Sequence, residues 1–159
     1  MSDVLLPLLR LCQWLQQTPI SVSIRESTWV FPILDAVHCT GIILVAGTIV
    51  IVDLRLLGFG MRRAPVSSLI AQVLPWTLSG FAFMFITGSL LAWAEPIKLY
   101  HSVFFRWKLL FLVLAGLNAL FFHYAALTPA RARLAGAVSI VCWISVIAAG
   151  RAIGYELSR

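Results

Sequence analysis

Charge is scarce in this 159-residue chain: 11% of the residues are Asp, Glu, Lys or Arg, where a soluble domain carries about a quarter. Acids are the rarer sign, six against twelve Lys and Arg, for a net charge of +6. So little charge excludes a disordered chain and an ordinary soluble enzyme. The three cysteines, Cys12, Cys39 and Cys142, are widely spaced and form no C-x-x-C. That excludes a disulfide framework and a thiolate metal site. No Ser or Cys stands in a hydrolase motif with a base beside it, so nucleophilic hydrolysis is excluded as well. The first residues lack a basic n-region and a small-residue cleavage site, and no repeat or low-complexity tract follows them. The ten-residue alternation of an outer-membrane barrel is missing too.

What fills the chain is apolar side chain: 61% of residues are hydrophobic and the mean hydropathy is +0.97. This composition specifies an integral membrane protein. The basic residues lie scattered between apolar runs, which reads as headgroup and topology charge, with the lipid bilayer and not nucleic acid as the partner. Residues 1–27 are expected to form an amphipathic interfacial helix and a linker. Residues 28–159 form a four-span domain, with spans near 29–53, 69–94, 106–127 and 134–154. Each is long enough for a bilayer, which needs about 20 apolar residues. Backbone groups in lipid must be satisfied within their own segment, so the spans are helices. Short links predict an all-α, up-down-up-down four-helix bundle with sequential neighbours. Trp29, Trp93, Tyr100, Trp107 and Tyr155 fall near helix ends as an aromatic belt. Arg55, Arg62, Arg63, Arg131 and Arg133 crowd the short loops of one side, which places both termini on the other.

The N-terminal stretch has a different pattern. Leu5, Leu8, Leu9, Leu11 and Leu15 face largely away from Asp3, Arg10, Gln13 and Gln17. Such a helix is too short and too polar to span and lies in the interface.

Polar groups inside a membrane are the informative ones, because a charge at mid-bilayer costs about 2.5–3.5 kcal/mol even on the mildest scale. They are Asp35 and His38 in the first span, Asn118 and His123 in the third, and Arg151 in the fourth. Asp35 and His38 are three apart and share a helix face. His38 lies about 3 Å before the middle of its span and His123 about 5 Å past the middle of its own. In a sequential ring the first and third helices face each other across the core. Two facing imidazoles are how a bundle holds b-type haem, with Lys or Arg near the propionates. His38 and His123 are therefore the candidate axial ligands of the haem iron. Beside this stands a plain structural role, since a histidine in a membrane helix also hydrogen-bonds its neighbours. His101 falls in the aromatic-basic turn, where a solvated role is expected. Asp35 and Arg151 come out at similar depth on adjacent helices, and a structural ion pair is expected between them. Ala135, Ser139, Cys142 and Ala149 form a stripe of small residues on the fourth span, a surface for close helix approach.

The pieces Trp29-x-Phe31-Pro32 before His38, then Asp53-Leu54-Arg55-Leu56-Leu57-Gly58, Pro75-Trp76 before Gly80-Phe81, and Leu117-Asn118-Ala119-Leu120-Phe121-Phe122-His123 carry a resemblance. They resemble a family of small bacterial four-helix inner-membrane proteins of unknown function. The resemblance implies the fold, a bacterial origin and the inner membrane, and implies no activity.

Three functions follow from these residues. One is electron transfer by b-type haem between the first and third spans. Another is an accessory or assembly subunit, or a homo-oligomer, that docks through its small-residue faces. The third is a proton or small-solute path through Asp35, His38 and Arg151, against which the small size and the lack of inverted repeats both speak.

Overall fold

The computed structural model describes residues 2–60, 65–124 and 128–157. Arg62, Arg63 and Arg159, expected as topology charges, lie outside these residues. The chain runs α1 (Ser2–Gln16), α2 (Pro19–Glu26), α3 (Val30–Leu57), α4 (Val66–Ala94), α5 (Pro96–His101), α6 (Val103–Tyr124) and α7 (Pro129–Leu157). The described residues contain no strand. Helices α3, α4, α6 and α7 are long and apolar enough to cross a membrane, and they make a multi-pass membrane protein.

Local chemistry sets where helices begin and end. Pro19 opens α2 at a position where its missing N–H costs nothing, and Thr18 Oγ1 accepts the amide of Ser21 at 3.4 Å. The stretch after α1, expected as a linker, is therefore partly helical. At the other end of α3, Gly58 adopts φ 94°. Its amide donates to Arg55 O at 3.2 Å and the amide of Phe59 to Leu54 O at 2.9 Å. These two bonds are the Schellman closure that a left-handed glycine permits. The run Asp53-Leu54-Arg55-Leu56-Leu57-Gly58 is thus a helix stop.

The spans pack in the order α4, α3, α7, α6: α3 lies against α4 and α7, and α7 lies against α6. No comparable contact joins α4 to α6 or α3 to α6. This is the cyclic order of the expected ring, with the first and third spans on a diagonal, but the side between α4 and α6 is open. The cause is where backbones can approach. A Cβ at Gly80 would stand 2.7 Å from Val45, and one at Gly136 would stand 3.1 Å from Asp53 O. Small residues let α3 meet α4 on one side and α7 on the other. Ala135, Ser139, Cys142 and Ala149 are all buried, so the small stripe of α7 is spent inside the chain and not offered to a partner. Val45, Ala115, Cys142, Trp143 and Val146 make the core, and Phe81 of α4 reaches over to Trp143 at 5.7 Å. Asn118 Nδ2 donates to Ala135 O at 3.0 Å and ties α6 to α7. Outward, Ile43, Phe85 and Val141 are exposed, a surface that only lipid tolerates over so much area.

Helices α1, α2 and α5 gather at the end of the bundle where α4 stops. Ser21 Oγ donates to Ala94 O at 3.1 Å, and Trp93 Nε1 donates to Thr18 Oγ1 at 3.0 Å. Ser102 Oγ bonds Glu156 and fastens the end of α7 to the link between α5 and α6.

Candidate functional site

Beneath that end, all four spans border a cavity of about 630 Å³. Helical spacing explains which side chains line it. From α3 come Phe31, Asp35, His38, Cys39 and Ile42, and from α4 and its C-cap come Gly88, Leu91, Ala92 and Glu95. Each set lies on one helical stripe, repeating at three, four and seven. Helix α6 adds Phe105 and Lys108; α7 adds Ile147, Gly150, Arg151 and Gly154; Lys98 of α5 stands near the mouth. The wall is mostly apolar and carries a few polar groups, the usual composition of a ligand pocket.

His38 is a buried, hydrogen-bonded polar group of this wall. It is 8% exposed, and its Nδ1 lies 2.8 Å from Thr87 Oγ1. The same hydroxyl donates to Phe83 O at 2.9 Å, one turn back on α4. A hydroxyl has one proton to give. With that proton on Phe83 O, Thr87 accepts from Nδ1–H, and the lone pair of neutral His38 is left on Nε2. The tautomer follows from the bonding network, since hydrogens are inferred from such networks. Nε2 makes no hydrogen bond of its own among the described residues. Gly88 gives the ring its room: a Cβ there would lie 3.0 Å from His38 Cε1.

Five charged groups share the cavity with His38: Asp35, Glu95, Lys98, Lys108 and Arg151. Asp35 lines the wall one turn before His38 on the same face of α3. The Lys108 ammonium lies 3.8 Å from where Gly150 would carry a Cβ. The Arg151 guanidinium stands 5.1 Å above the Tyr155 ring. Asp35 and Arg151 thus reach one cavity wall, as their depths suggested, but among the described residues the ion pair that forms is Lys98–Glu95 at 2.5 Å. Among the described residues, two cations of the cavity, Lys108 and Arg151, and one carboxylate, Asp35, form no ion pair.

The second histidine is elsewhere. His123 is exposed on the last turn of α6, edge-on to Tyr124 at 5.0 Å, and lines no part of the cavity. His38 and His123 are not brought together. His101 is exposed on α5 against Tyr100 at 5.0 Å. From the third span the cavity receives Lys108, on the first turns of α6. A signal for it existed. Arg106 and Lys108 are two residues apart, about 200° around a helix, so they point to opposite sides of it. Arg106 turns out to Tyr100 O at 3.1 Å, and Lys108 turns in. Asp53, read as the far boundary of the first span, is also inside. It is 4% exposed, and its Oδ2 finds no partner.

No three His, Cys, Asp or Glu side chains cluster among the described residues in a way that could hold a metal ion. The cavity offers one imidazole nitrogen to a ligand, with cations around it.

Residues 29–156 match the family of unknown function DUF6644, and the chain belongs to that family. The match takes in all four spans and every polar residue of the cavity. No curated protein and no solved structure matches the chain.

Proposed function

We propose that this DUF6644 member is an electron-transfer protein of the bacterial inner membrane that binds b-type haem in the cavity, with His38 Nε2 as an axial ligand. The observation that carries the reading is the His38–Thr87 bond. A ligating histidine donates its other N–H to a fixed acceptor, which sets the tautomer and the ring plane, and Thr87 is that acceptor at 2.8 Å. The rest of the cavity suits the same molecule. A macrocycle needs apolar walls, which Phe31, Ile42, Leu91, Phe105 and Ile147 supply. Two propionates need cations, and Lys108 and Arg151 exceed the local acid by one. Haem supplies the electron carrier; the chain supplies ligand, orientation and a dry site. Of the two histidines expected to bind, only His38 enters the proposal, because His123 lies outside the cavity.

The test is the visible spectrum of protein purified after expression with ample haem. A Soret band with reduced α and β bands is expected. His38→Ala should abolish it, and His123→Ala should leave it in place. A colourless wild-type protein overturns the reading, in favour of an accessory subunit of a larger membrane complex or a homo-oligomer without cofactor.

A further inference from the structure

A second recess lies outside the bundle, between α1, α2 and α5. It has a volume of about 540 Å³ and is lined by Gln13, Gln16, Gln17, Val22, Arg25 and Ile97. Three side-chain amides and one guanidinium over two apolar side chains are an unusual grouping beside a membrane.

Two of its groups are unspent. Arg25 donates only to Gln16 O and Ala94 O, each at 3.5 Å, the long limit for such bonds. No carboxylate pairs with it within 4.0 Å among the described residues. Most of its five donors are free for an anion. Gln16 Oε1 is buried and has no donor at all, and a buried acceptor left without a partner is costly.

The level of the recess identifies what is near it. Arg25 touches Ala94 O, the last residue of α4, beside the belt residue Trp93. A 29-residue helix is about 43 Å long at 1.5 Å per residue, which covers hydrocarbon and headgroup layers together. Its end therefore stands among lipid phosphates. The apolar side of α1, with Leu8, Leu11 and Trp14 exposed, lies on the bilayer as an interfacial helix does, and its glutamines face the recess.

We infer that this recess binds the headgroup of a phospholipid with a primary ammonium, as in phosphatidylethanolamine. The phosphodiester meets the Arg25 guanidinium, a charge-assisted pairing. The ammonium, with three N–H donors, meets the amide oxygens of Gln13, Gln16 and Gln17. A choline head has no N–H to give, and free phosphate has neither ammonium nor acyl chains. The proposal is independent of the haem reading, since none of these side chains lines the bundle cavity.

The test is lipid binding by the full chain in detergent, read by native mass spectrometry and by thermal shift, with phosphatidylethanolamine, phosphatidylcholine, phosphatidylglycerol and inorganic phosphate as probes. Phosphatidylethanolamine is expected to bind and stabilise about tenfold more tightly than the other three. Arg25→Gln should weaken it by about tenfold or more, with partial recovery in Arg25→Lys. Gln16→Leu, which fills the same space without touching the cation, should bring phosphatidylethanolamine down to the level of phosphatidylcholine. Equal binding of the ethanolamine and choline lipids, equal binding of phosphatidylglycerol, or stabilisation by phosphate alone overturns the proposal, as does unchanged binding in Gln16→Leu.

Discussion

At the scale of single residues, the decisive pair is His38 and Thr87. Replacing Thr87 by Val keeps the shape but removes the acceptor, so Nδ1–H is left unpaired or the proton moves to Nε2. The first outcome leaves the ring plane unfixed, and the second takes the Nε2 lone pair away from a ligand. Second partners of ligating histidines typically contribute about 10–100-fold in affinity. Thr87→Val is therefore expected to weaken haem binding by about that factor in a spectral titration, while Thr87→Ser stays near wild type. Equal affinity in both variants would show that the bond orients nothing. Asp53 is a different case. It is nearly fully buried at the α3–α7 contact with one oxygen unpartnered, and a charge there is poorly compensated. Asp53→Asn, similar in shape and uncharged, is expected to leave the melting temperature in detergent unchanged or raised. A large fall would mean that the carboxylate has a partner it needs.

At the scale of elements, the small residues of α7 serve the close helix approach expected of them, and they serve it within the chain. Ser139 and Cys142 sit at 8% and 5% exposure, against α3 and α6. Substituting Leu for either inserts volume where the helices meet, and overpacking of this kind costs about 1–3 kcal/mol. Ser139→Leu and Cys142→Leu are expected to lower the melting temperature of the chain itself, whatever its oligomeric state. Lost association with unchanged melting would restore the docking role. Gly58 governs the end of α3 in the same local way. The Schellman closure needs φ 94°, a region that costs an alanine about 1–2 kcal/mol.

At the scale of the whole molecule, the cavity gathers side chains from five helices that no segment places alone. Cys39 is exposed and lines it, whereas Cys142 is buried in the core. In a Cys12→Ser background, a small membrane-permeant maleimide is expected to label Cys39 and to spare Cys142 while the fold holds. Haem loading should then protect Cys39. Labelling that is indifferent to haem would place the cofactor, if bound, somewhere other than this cavity.

The sequence by itself determined that the protein is helical, where its four spans lie, and that Asp35 and His38 share a face. These are local consequences: lipid leaves the backbone no option but the helix, and spacing along one helix fixes which residues are neighbours. The glycine that closes α3 was legible on the same ground. The tertiary structure alone decided that the ring stays open between α4 and α6, and that Lys108 and not His123 enters the site. The physical reason lies in the spans themselves. They are apolar nearly all the way round, and lipid tails are as apolar as a neighbouring helix, so periodicity gives them no preferred face. Their rotation and order rest on a few close approaches, at Gly80 and Gly136, and on single polar bonds such as Asn118 to Ala135 O. Those contacts exist only once the helices have met.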